Sequence, residues 1–149
     1  MQHSYAFMSG VLRNVTKETR TSAVLKESVR SFVASRVRLD SFKVQDQKDF
    51  QERVKNSKVP VVVDFFATWC NPCKMLTPRL ESVIAEKKGK VLLAKVDIDE
   101  NTELALDYEV GSVPALVAIK NGKVQERLVG LQDIDKLRKF VDQLIHKTD

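Results

Sequence analysis

Cys70 and Cys73 are the only cysteines in a chain of 149 residues, and they stand three positions apart in the run Trp69-Cys70-Asn71-Pro72-Cys73-Lys74. Side chains at i and i+3 of a helical turn lie about 5–6 Å apart, so a modest adjustment brings two sulfurs to bonding distance. Such a pair can be dithiol or disulfide, and it can pass two electrons to a partner by thiol–disulfide exchange. As a structural staple it would achieve little. So short a loop removes little entropy from the unfolded chain, and a stapled secreted scaffold uses more cysteines. A zinc site would need two further ligands, and the two histidines, His3 and His146, lie at opposite ends of the chain. No metal is expected.

Pro72 suits the first turn of a helix, where no intrahelical N–H bond is lost. Cys70 then precedes the helix, near its unpaired N–H groups and the positive end of its dipole, which stabilise a thiolate. Cys73 lies one turn inward and is expected to be the more buried. Cys70 is therefore the predicted nucleophile and Cys73 the resolving thiol, which cleaves the mixed disulfide and releases the reduced partner. Asp64, six residues before Cys70, interrupts a wholly apolar run. Burial would raise its pKa, and a carboxyl group titrating near neutrality beside the thiols can accept and return the proton of Cys73. The alternative is a strand-end carboxylate in contact with water.

These groups need elements to hold them. Lys58 to Thr68 is apolar on both parities, which predicts a strand buried on both faces. Pro72 opens a helix in which Met75, Leu76, Leu80, Val83 and Ile84 recur; Pro78 should kink it and Gly89 ends it. Upstream, Phe42–Gln45 is a short predicted strand, Asp46 a helix N-cap, and Phe50 and Val54 share a helical face. Downstream come a buried strand, Val91–Val96, and a short helix, Asn101–Tyr108. Ala115–Ile119 and Val124–Val129 flank Asn121-Gly122, a strong hairpin signal. Ile134, Leu137, Phe140, Val141, Leu144 and Ile145 mark a closing amphipathic helix. The order βαβαβαββα predicts the α/β class, a central mixed sheet with helices on both faces. The cysteines then sit beyond the carboxyl end of a central strand, where open α/β sheets place their sites.

The net charge of +5 is confined to one end. Residues 1–39 carry seven basic and two acidic side chains, whereas residues 40–149 carry 18 of each. The predicted domain thus has no basic excess for a nucleic-acid backbone. No apolar run approaches the roughly 18 residues of a membrane-spanning helix. The first 39 residues are rich in Ser, Thr and Arg and poor in acid, the composition of an organelle import signal. Leu25, Val29, Phe32 and Val33 recur at helical spacing with Lys26, Arg30 and Arg36 interleaved. Residues 1–39 are expected to be a mitochondrial transit peptide cleaved near 36–40, ahead of a domain over 40–149. The alternative is a solvated basic tail.

The segments FFATWCNPCKMLTP, AKVDIDEN, VGSVPALVAIKNG and LVG occur in the order and spacing of the thioredoxin family, which the chain resembles over roughly residues 40–147. With the transit-like tail, it is similar to mitochondrial members of that family. The resemblance implies the thioredoxin fold and a protein-disulfide reductase maintaining redox homeostasis. It also implies that Asp64 is the family's buried aspartate, Lys95 the lysine that pairs with it, and Pro114 the cis-proline that packs against the cysteines. Trp69, Val113 and Gly130, with Asn71 and Pro72 between the sulfurs, would line the substrate groove. From the residues alone, Pro114 could equally begin a strand or turn, and Lys95 could be a solvated strand residue.

Implied partners are peroxiredoxins and other disulfide-containing proteins, with re-reduction by an NADPH-dependent thioredoxin reductase, a flavin enzyme. No bound cofactor is implied, and a monomer in the mitochondrial matrix is expected. Asn71 stands where the family commonly has glycine, and Ala115 where threonine commonly follows the proline. Asn71 adds hydrogen-bonding groups beside the sulfurs, a route to a shifted potential. Two other readings share the motif: an oxidase or isomerase at higher potential, and a redox-gated binding module.

Overall fold

The computed structural model describes residues 40–147. The expected import signal and its cleavage site lie outside them. Five strands form one sheet: β1 (Ser41–Lys43), β2 (Val61–Phe66), β3 (Leu92–Asp97), β4 (Ala115–Lys120) and β5 (Lys123–Val129). Four helices accompany them: α1 (Gln47–Phe50), α2 (Asn71–Glu86), α3 (Thr102–Asp107) and α4 (Ile134–His146). The spatial strand order is β1-β3-β2-β4-β5. β1, β3 and β2 run parallel, while β4 pairs antiparallel with both β2 and β5. This is the mixed α/β sheet expected from the sequence.

The apolar run of β2 is explained by its place between β3 and β4, with a layer of side chains on each face. Val61, Val63 and Phe65 pack on one face with Phe50, Val54, Leu104 and Tyr108. Val62 points to the other, among Leu76, Leu80, Ile84, Leu137 and Phe140 from α2 and α4. Strand alternation puts Asp64 on this second face with Val62. An Ile84→Val substitution should shorten one fully buried contact of α2 and lower stability by about 1 kcal/mol, read as a shifted urea midpoint with unchanged slope.

Some boundaries differ from the sequence reading. β2 starts at Val61 rather than Lys58, because Pro60 has no N–H for the ladder and Ser57 Oγ bonds both Val59 N and Val59 O. β1 ends at Lys43, just ahead of the cap that Asp46 provides, whose carboxylate accepts from Asp49 N at 2.7 Å. The helix it caps widens into a π-helical turn over Gln51–Lys55, which the pattern of Phe50 and Val54 does not reveal. α2 runs continuously through Pro78 and ends at Glu86, three residues before Gly89, because Lys88 and Gly89 both take positive φ. The Asn121-Gly122 hairpin forms as expected. Both residues have positive φ (51° and 73°), as a type I′ turn requires.

Candidate active site

The end of β2 and the start of α2 build the site. Cys70 N donates to Ala67 O, closing a turn that aims the chain out of the sheet. Cys70 then occupies the N-cap of α2, with Pro72 in the first turn. Its sulfur accepts from Cys73 N at 3.3 Å, so it already lies against the helix's free N–H groups. Cys70 and Cys73 are joined as a disulfide, S–S 2.13 Å, with Cα atoms 5.4 Å apart.

The expected contrast in burial is absent in this oxidised form: Cys70 is 3% and Cys73 2% exposed. The two differ instead in surroundings. Cys73, not Cys70, borders a cleft of about 390 Å³ between α2 and the sheet, together with Thr77 and Lys95.

The rim of the site is apolar and open. Trp69 is 65% exposed, and its indole Nε1 donates to Asp99 Oδ2 at 3.0 Å. Val113 packs with Phe66 and Ile98 against the cluster of Ala67, Cys70 and Cys73. The Val113–Pro114 peptide is cis, and Pro114 is buried. Gly130 N donates to Pro114 O at 2.8 Å, tying the two segments together. Asn71 and Pro72 are exposed between the sulfurs. Sequence reasoning missed Val129 and Leu131, exposed apolar side chains flanking Gly130. The signal was present, since Val129 is an apolar residue at the end of an edge strand.

Asp64 is fully buried, which rules out the water-contacting alternative. Burial is the main cause that raises its carboxyl to about 6; the Thr77 hydrogen bond and the Lys95 charge pull it down, while Glu81 pushes it up. The expected pairing with Lys95 takes the form of sheet register and charge and not of a direct hydrogen bond. Lys95 is the register partner of Asp64 in the sheet, but its Nζ bonds Glu81 Oε1 at 2.8 Å. Asp64 Oδ2 instead accepts from Thr77 Oγ1 at 2.8 Å, and Oδ1 has no partner among the described residues. The reason is α2: Cys73, Thr77 and Glu81 recur every four residues, so one helical stripe faces the sheet here. Glu81 offers Lys95 a half-exposed carboxylate that leaves its ammonium in contact with water. That spacing was the available signal for Thr77 and Glu81.

Among the described residues no group of three or more His, Cys, Asp and Glu could hold a metal ion, and no helix is long and apolar enough to cross a membrane. The chemistry belongs to the cysteine pair itself: a disulfide at a helix N-terminus, a buried carboxyl group and an apolar rim make a protein-disulfide oxidoreductase.

Comparison with known proteins points the same way. The Thioredoxin family profile matches residues 41–143. "Thioredoxin, mitochondrial" of Mus musculus is 53% identical over 122 residues, covering 82% of this chain and 74% of that protein. "Probable thioredoxin-2" of Caenorhabditis elegans is 42% identical over 104 residues, covering 70% and 72%. A mutant thioredoxin from Halobacterium salinarum superposes with a TM-score of 0.66 at 35% identity, over 74% of this chain and 96% of that one. The chain belongs to the thioredoxin family.

Proposed function

We propose that this protein is a mitochondrial protein-disulfide reductase. The observation that carries the reading is the Cys70–Cys73 disulfide at the N-terminus of α2, surrounded by exposed apolar side chains that suit an extended protein substrate. In the reduced protein the Cys70 thiolate attacks a target disulfide. A mixed disulfide forms and one target thiolate leaves. Cys73 gives its proton to Asp64 and attacks the Cys70 sulfur, which releases the second target thiolate and closes the Cys70–Cys73 bond. The target gains two electrons and the dithiol loses two. Thioredoxin reductase, drawing on NADPH, then restores the dithiol, and peroxiredoxins are among the natural targets.

The mitochondrial assignment is supported by the similarity to the mitochondrial thioredoxin of Mus musculus and by the composition of residues 1–39. We assign those residues to import, with cleavage near 36–40 and a matrix domain over 40–149. Protein isolated from its own cells should begin in that interval by mass spectrometry; an N-terminus at Met1 would remove the import reading.

The deciding test of the activity is the potential of the Cys70–Cys73 couple, equilibrated against dithiothreitol or glutathione buffers with alkylated thiols counted by mass. About −270 mV, the value characteristic of thioredoxins, is expected. About −180 mV, characteristic of protein disulfide isomerase, would move the protein to oxidation or isomerisation, with Asn71 the first residue to revert to glycine.

The rim assignment has its own test. An Asp99→Ala variant frees the Trp69 indole from its acceptor. It should raise KM for a protein disulfide severalfold while leaving kcat and the potential unchanged. An unchanged KM would remove Trp69 from the substrate groove.

A further inference from the structure

We propose that Thr77 is a positioning residue for the disulfide exchange: its hydroxyl holds Oδ2 of Asp64 and thereby sets the pH at which that carboxyl group exchanges a proton. The inference rests on the assignment of Asp64 as the proton acceptor of Cys73. It starts from geometry. Asp64 lies in the middle of β2 with no exposed surface, and the 2.8 Å bond from Thr77 Oγ1 is the hydrogen bond its carboxyl group receives among the described residues. A carboxylate accepts and cannot donate, so the hydroxyl must donate here. One oxygen is therefore fixed, and Oδ1 is left as the oxygen that takes up a proton.

Thr77 also borders the cleft that Cys73 and Lys95 line. Its hydroxyl thus joins a fully buried acid to a cleft that the resolving cysteine also lines. The charged groups on this side of the sheet come from β1, β3 and α2, and Lys43 and Lys74 line the same cleft. From β3 comes Lys95, engaged with Glu81. From α2 come Cys73, Thr77 and Glu81. Across β4 the register partner is Leu116, which is apolar, and α4 contributes Leu137 and Phe140 to this face. Thr77 is therefore the neutral group that can favour the ionised carboxyl by a direct bond without bringing a charge of its own. A hydrogen bond to a charged acceptor favours the charged form, so losing it should raise the proton affinity of Asp64.

The test uses the full protein, oxidised for the titration and reduced for the activity assay, with Thr77→Val, which keeps the shape and removes the hydroxyl, and Thr77→Ser, which keeps the hydroxyl and removes a methyl group. The Asp64 titration is followed by carboxyl-carbon NMR, and the reduction of a protein disulfide is followed against pH. In Thr77→Val the midpoint should rise by about one pH unit, a tenfold change in proton affinity, and the pH–rate profile should move with it. Thr77→Ser should restore both. Thr77→Ala, which removes the hydroxyl together with the methyl group, makes the same comparison if valine does not fit.

A midpoint unmoved in Thr77→Val, or moved as far in Thr77→Ser, would overturn the proposal whatever Asp64 does in catalysis. A midpoint that moves while the rate profile stays would instead overturn the proton-acceptor role of Asp64, and the catalytic part of this proposal with it.

Discussion

Replacing Cys70 by serine should reduce protein-disulfide reduction to the uncatalysed background. The hydroxyl cannot form the mixed disulfide, and Cys73 has no second sulfur with which to close the cycle. Replacing Cys73 by serine should have a different outcome. Cys70 still sits at the N-cap of α2, against the N–H of residue 73, so its thiolate remains stabilised and the first attack proceeds. Resolution fails, and the protein should accumulate covalently joined to its target. The joined species should appear by mass and disappear with dithiothreitol. Turnover by Cys70→Ser, or trapping by Cys70→Ser and not by Cys73→Ser, would reverse the assignment of nucleophile and resolving thiol.

Asp64→Asn should make the protein more stable and a poorer catalyst. In the folded protein burial raises the carboxyl to about 6, above the roughly 3.9 of an unfolded chain. The folded state therefore binds the extra proton between those values, and stability falls as pH rises through that interval. Below it both states are protonated and there is no cost. Above about pH 6 the full cost of an ionised buried carboxylate is present, about 3 kcal/mol at 1.36 kcal/mol per pH unit. Asparagine keeps an acceptor for Thr77 and removes the charge. Its gain should be near 3 kcal/mol above pH 7 and should vanish toward pH 3–4, read from urea midpoints across pH. A gain independent of pH would mean that Asp64 is not the titrating group. Activity should fall roughly tenfold to a hundredfold at neutral pH, at or below the lower range for a positioned general base. It should recover as pH approaches the ordinary thiol range near 8.5.

The parts legible in the sequence were those with a local cause. Two-sided burial of β2 shows as an apolar run on both parities. The hairpin shows as Asn121-Gly122, because both residues must take positive φ. The cysteines show as a pair because they are the chain's two cysteines and stand three positions apart. Relations between distant segments were harder to read. Lys95 stands beside Asp64 in the sheet, yet its partner is decided by how α2 is rotated over that sheet, and the rotation brings in Glu81. Thr77 was hidden in a Thr-Pro pair whose proline drew attention as a kink. The bond from Trp69 to Asp99 spans thirty residues and joins two exposed side chains, so no burial pattern announces it.

The reversal of direction at β4 has a consequence for how the site comes into being. β4 runs against β2, so its first residue, Ala115, lies opposite Phe65 near the end of β2. A strand running the other way would have carried Val113 and Pro114 to the far edge of the sheet. The cysteine loop and the segment that closes over it are thus neighbours in space but more than forty residues apart along the chain. A nascent chain that has emerged only through β3 carries both thiols but no finished rim. Its cysteines would meet glutathione disulfide and other small oxidants without the surface that selects a protein target. Substrate discrimination is therefore acquired late, when the last hairpin docks, and a polypeptide truncated before that hairpin should be an unselective dithiol.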